Sequence, residues 1–133
     1  MNMNYKVVNF GSQKYIQCIP GETSLANERD AVDLVAACGE NGTHRLMVFA
    51  DNLSDDFYRL SSGVAGNILL KFTTYRIRVA AVLTPELVNQ GRFREMVIET
   101  NRGNQFRVFY DPLEAEKWLI GAQDQIPVWE VER

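Results

Sequence analysis

The chain has 133 residues, 46% of them hydrophobic, 23% charged and 11% aromatic, which is room for one domain with a sizeable core and unlike disordered, collagen-like or coiled-coil sequences. Fourteen Lys and Arg against seventeen Asp and Glu give a net charge of -3, so the whole-molecule field favours neither nucleic acid nor an anionic membrane. No apolar run approaches the roughly 20 residues that span a bilayer, and Met1-Asn2-Met3-Asn4-Tyr5-Lys6 lacks the charged-then-apolar layout of a secretion signal, so a cytoplasmic protein is expected.

Tyr5 to Phe10 and Lys14 to Ile19 are short β-prone runs joined by Gly11-Ser12-Gln13, a hairpin turn by length and chemistry. Pro20-Gly21 ends the second run. Ser24 or Asn27 can then cap a helix whose apolar residues Ala31, Leu34, Val35 and Cys38 fall at i, i+3, i+4 and i+7. Gly39 and Gly42 close it. Leu46 to Ala50 is an unbroken apolar pentad, as expected of a strand covered on both faces near the centre of a parallel or mixed sheet.

The polar stretch Asp51 to Leu60 allows one short helical turn at Ser54, and a longer helix follows from about Ser62 to Tyr75. Its stripe is Val64, Ile68, Phe72 and Tyr75. Ile77 to Leu83 is the next strand, closed by Thr84-Pro85-Glu86. Arg92 to Asn101 reads as a helix with Phe93, Met96, Val97 and Thr100 inward, and Phe106 to Tyr110 as the last strand of the alternation. Asp111-Pro112 starts a final helix, with Asp as cap, Pro at the first helical position and Leu113, Trp118 and Leu119 inward. Strands alternating with helices imply parallel pairing through right-handed crossovers. The expected fold is one α/β domain over residues 1–121: a mixed sheet with an N-terminal antiparallel hairpin, three further parallel strands and four helices. The tail, 122–133, carries Ile126, Val128, Trp129 and Val131 and is expected either to add an edge strand or to join a homodimer.

Cys18 and Cys38 are the only thiols and His44 the only histidine. With no Cys-x-x-Cys and no second pair, the thiols read as reduced and buried rather than as a zinc or redox site. His44 follows a turn and reads as a surface residue at a strand entrance. Asp51, Asp55 and Asp56 cluster after the central strand, where ligands gather in α/β sheets; as a Mg²⁺ site they would need convergent oxygens, and as part of a first helical turn they are simply favoured by the dipole. No metal or cofactor is assigned. Arg76, Arg78, Arg92, Arg94, Arg102 and Arg107 either converge on an acidic or phosphorylated partner, or stay dispersed, with Arg92 or Arg94 paired to Glu95 and Glu99.

The triplet Ser61-Ser62-Gly63 falls at the N-terminus of the second long helix. Unsatisfied amides and the helix dipole favour negative charge there, so a phosphate on either hydroxyl can be accommodated. An ordinary N-cap is the plain alternative.

Leu46 to Leu83, with Asp51-Asn52-Leu53-Ser54 and Leu60-Ser61-Ser62-Gly63-Val64-Ala65-Gly66, resembles the centre of a STAS domain, the module of sulfate transporters and anti-sigma-factor antagonists. In the antagonist branch the second serine of an Asp-Ser-Ser-Gly-Leu-Gly-like stretch is phosphorylated by a partner kinase. Ser62 occupies that place here, and Leu60 replaces the acidic residue. From Tyr5 to Leu119 the chain is similar to a bacterial STAS-like family without assigned function, through Ala31-Val32-Asp33-Leu34, Asp56-Phe57-Tyr58, Lys71-Phe72, Tyr75-Arg76-Ile77-Arg78 and Glu99-Thr100-Asn101-Arg102-Gly103.

The resemblance implies a non-enzymatic regulatory module that docks a protein partner, a kinase or a regulator. Ser62, with Ser61 as the alternative, is then the phosphoacceptor, and Asp51, Ser54, Asp55, Asp56, Gly63 and Arg76 are the surrounding binding residues. A small-ligand or anion binder using the same helix N-terminus is a second class. A small enzyme without metal, relying on Asp, Glu, Ser and Arg alone, is a third.

Overall fold

The computed structural model describes residues 4–121. Strand β1 (Tyr5–Phe10) pairs antiparallel with β2 (Gln13–Cys18), Tyr5 facing Cys18 and Phe10 facing Gln13. The turn is one residue shorter than the sequence reading, with Gly11 at φ 64° supplying the positive dihedral that two-residue hairpins need. Helix α1 (Glu28–Glu40) follows, capped by Asn27, whose side chain accepts from the Asp30 amide at 3.0 Å. Then come β3 (Arg45–Phe49), a 3₁₀ turn at Ala50–Asn52, the one-turn helix α2 (Asp55–Tyr58) and a second 3₁₀ turn at Leu60–Ser62. Helix α3 (Val64–Thr74) leads to β4 (Arg78–Val82), and the short α4 (Pro85–Val88), begun by Thr84 and Pro85, leads to α5 (Gly91–Thr100). Strand β5 (Phe106–Phe109) and helix α6 (Pro112–Ile120), capped by Asp111 with Pro112 at its first position, complete the order.

The five strands lie in sequence order, β1 to β5, with β3 in the middle and every pairing after the hairpin parallel. That order means each of the three crossovers steps the same way. Right-handed crossovers stepping one way put their helices on one face. The burial pattern agrees. One core joins Ile16, Cys18, Leu46, Val48, Val79, Ala81, Phe106 and Val108 of the sheet to residues of α1, α3 and α5, among them Leu34, Ile68 and Phe93. Residues of opposite parity, Tyr15, Met47 and Ala80, meet α6 through Ala115, Trp118 and Leu119. The apolar pentad is therefore covered twice, by three helices on one side and by α6 on the other.

Cation–π contacts close the α6 side, with the Arg78 guanidinium 4.5 Å and that of Arg107 5.5 Å from the Trp118 ring centre. Burial, and then the hydrogen bond that Tyr15 donates to Glu116 at 2.8 Å, pushes the Tyr15 hydroxyl pKa well above the usual phenol range.

Two inward assignments are corrected. Leu113 is 66% exposed because α6 faces the sheet with Ala115, Trp118 and Leu119, and position 113 lies about 200° around the helix from 115. Tyr75 is 51% exposed because the helix stops at Thr74 and Tyr75 leaves the stripe as its C-terminal cap. Both thiols are buried and unpaired, and burial pushes each up to about 12. His44 is exposed at the entrance to β3. The tail expectation, an edge strand or dimer contact by 122–133, lies outside the described residues. No helix among the described residues is long and apolar enough to cross a membrane.

Candidate functional site

The carboxyl edge of the parallel strands is dominated by the connection from Phe49 to Val64. Its first part is clamped. Asn52, 1% exposed, donates from Nδ2 to the carbonyls of Ile19 (3.0 Å) and Thr23 (2.9 Å), and its Oδ1 accepts from the Phe49 amide at 2.8 Å. The Leu25 amide donates to the Asn52 carbonyl at 2.6 Å, and Leu25 and Leu53 form an isolated parallel bridge. Buried amides and carbonyls need such partners. Asn52 supplies them for three separate stretches of chain.

Phe57 then plugs the helical core. It is fully buried, 6.1 Å from Phe93 and 6.3 Å from Phe106 between ring centres, while Tyr58 meets Phe93 edge-to-face at 5.1 Å. These rings fasten α2 to α5. The Tyr58 hydroxyl, held by a long 3.3 Å bond to the Ala50 carbonyl, is pushed up to about 12 by burial and then by the charges of Asp51 and Asp55.

Beyond Tyr58 the connection comes to the surface. Arg59 pairs with Asp56 one turn before it. Ser61 and Ser62 are both exposed. Ser62 Oγ donates to the Asp56 carbonyl at 2.7 Å and accepts from the Val64 amide at 3.2 Å, so one hydroxyl bridges the end of α2 to the start of α3. Gly63 sits between them at φ 81°, a left-handed conformation that costs glycine nothing and other residues about 1 kcal/mol or more. The N-cap position belongs to Gly63, and Ser62 serves the first amide of α3 from one residue further back.

Of the residues singled out from the sequence, Asp51, Ser54, Asp55, Asp56, Ser61, Ser62 and Gly63 thus share this one connection. Ser54 begins α2 without capping it; its buried hydroxyl has no hydrogen-bond partner among the described residues. The aspartates do not converge: no group of three or more His, Cys, Asp or Glu among the described residues is placed to hold a metal ion. Arg76 is not part of the site. It lies at the other end of α3, roughly 16 Å along the helix axis, exposed at φ 58° in the turn into β4. The six arginines are dispersed. Arg102 pairs with Glu99 at 3.7 Å, Arg78 and Arg107 flank Trp118, and no ion pair joins Arg92 or Arg94 to Glu95 among the described residues.

Two features escaped the sequence reading. Asn52 is the anchor of the site; it stands two residues beyond the apolar pentad, and nothing local in the sequence marks the carbonyls it serves. The other is a cleft of about 420 Å³ between α2 and the start of α5, lined by Asp55, Tyr58, Arg59, Ser61, Gln90 and Arg92 among others. The long connection after β3 supplies one wall of this cleft and the start of α5 the other.

No curated protein and no solved structure matches the chain. A family profile matches residues 10–119, from the end of β1 almost to the end of α6, and on that match the chain belongs to the family described as a domain of unknown function (DUF4180).

Proposed function

We propose that this domain is a non-enzymatic regulatory module of the STAS-like type, docking a protein partner through the surface end of the connection after β3, with Ser62 as its phosphorylation switch. The observation that carries the reading is the Ser62 hydroxyl: exposed, and bridging Asp56 to Val64. A kinase can reach it. Phosphorylation removes the proton donated to the Asp56 carbonyl and sets phosphate oxygens against that carbonyl, so the bridge breaks. It also adds roughly -1.5 to -2 charges to the connection that carries Asp51, Asp55 and Asp56, taking the net from -3 to about -5. The amino end of α3 compensates by about 0.3 to 2 kcal/mol, and the Asn52 clamp is untouched. The fold is kept and the docking surface changes shape and charge.

The test is capture from a bacterial lysate on immobilised chain, unmodified and phosphorylated at Ser62. The reading expects a kinase or sigma-type regulator retained by the unmodified chain and lost from the phosphorylated one. Equal recovery on both would refute the switch. Ser62→Ala is expected to bind the same protein and to be insensitive to its kinase.

A further inference from the structure

The cleft beside this connection has chemistry that the switch does not use. Its α5 wall is positive. Arg92 and Arg94 stand in the first turn of α5, where the helix dipole is already positive, and no acidic residue occupies that turn. The Arg92 side chain lines the cleft and makes no hydrogen bond or ion pair among the described residues, whereas Arg59 on the facing wall is engaged by Asp56. Ser61 lines the same facing wall, and its hydroxyl likewise has no partner among the described residues. The lining also includes the Tyr58 ring, Leu60 and Phe93, which supply its apolar part.

We propose that the cleft binds a small organic phosphate. Arg92 and the Ser61 hydroxyl hold phosphoryl oxygens from opposite walls, and the organic part lies against Tyr58, Leu60 and Phe93. Two facing sets of donors suit a tetrahedral group with three free oxygens; a planar carboxylate would be satisfied by the guanidinium fork alone. A cation does not fit, since Asp55 is the one carboxylate in the lining against two arginines. The volume of about 420 Å³ lies in the range of small-molecule sites. Ser62 is not in the lining, so this site stands or falls independently of the switch.

The test is a ¹H–¹⁵N NMR titration of the full chain with phenyl phosphate, inorganic phosphate and phenol. Shifts are expected at residues 58–61 and 90–93, with phenyl phosphate saturating at lower concentration than inorganic phosphate and phenol far weaker than either. Arg92→Gln, an exposed position whose variant spectrum reports folding directly, is expected to weaken phenyl phosphate about tenfold. Arg29→Gln, an exposed charge-matched control on α1, is expected to change nothing. Shifts centred elsewhere, unweakened binding in folded Arg92→Gln, or equal affinity for the inorganic and the phenyl ester would each overturn the proposal.

Discussion

The two ends of the connection after β3 are built on opposite principles. At its root, Asn52, Leu53 and Phe57 are buried, and one side-chain amide holds Phe49, Ile19 and Thr23 in place. At its tip, Ser61 and Ser62 are exposed, and a single hydroxyl joins α2 to α3. Buried hydrogen bonds cost most when one partner is removed, because the others are left unsatisfied away from water; exposed ones are replaced by water. A surface can therefore be altered at the tip without disturbing the sheet, provided the root holds.

The largest expected effect is at the root. Phe57→Ala empties a site bounded by Phe93 and Phe106 and is expected to cost about 4 kcal/mol in denaturant unfolding. Asn52→Ala takes this partner from the Phe49 amide and the Thr23 carbonyl and leaves the Ile19 carbonyl with only the Glu22 amide, with an expected loss of about 3 kcal/mol. If either variant melted like the parent, the root would not be a clamp.

Alkaline pH attacks the same core without a substitution. Cys18 and Cys38 are raised from 9.0 to about 12 by burial, Cys18 additionally by Cys38. The folded state thus holds their protons more tightly than the unfolded one. The stability they contribute is whole below pH 9 and is lost as pH climbs towards 12, at about 1.4 kcal/mol per pH unit for each thiol. A thiol reagent at pH 8 should find neither cysteine until the protein unfolds; rapid labelling of the native chain would contradict this.

At the tip the effects shrink. Gly63→Ala meets no atom within 4 Å of the added carbon, so only its φ of 81° is strained, and about 1 kcal/mol is expected. Ser62→Ala gives up two exposed hydrogen bonds and is expected to cost about 0.5 kcal/mol. A loss at Ser62 as large as that at Asn52 would erase the distinction between the two ends.

How much of this was legible in the sequence follows the range over which residues act. Alternation, the Leu46 to Ala50 pentad and the cap pair Asp111-Pro112 are local signals that located the sheet and the long helices, whereas Thr84-Pro85 read only as the end of a strand and the short α4 it begins was missed. Leu113 was misplaced because a cap sets where a helix starts but not which face it buries; the sheet decides that. Arg76 was grouped with the site because it stood near the family-like motif, yet the length of α3 carries it to the far edge. Asn52 was passed over because the carbonyls it serves, at Ile19 and Thr23, are 33 and 29 residues away in sequence. The facing of Arg92 and Ser61 across one cleft is likewise set by the docking of α2 on α5, which no spacing encodes.

The division between root and tip is tested most directly by the ¹H–¹⁵N spectrum of Ser62→Asp beside that of the parent. The account predicts shifts confined to residues 54–67, an unmoved Asn52 side-chain amide pair, and melting within a few degrees of the parent. Displacement of the Asn52 side-chain signals or of the Thr23 amide, or an unfolded spectrum, would contradict it.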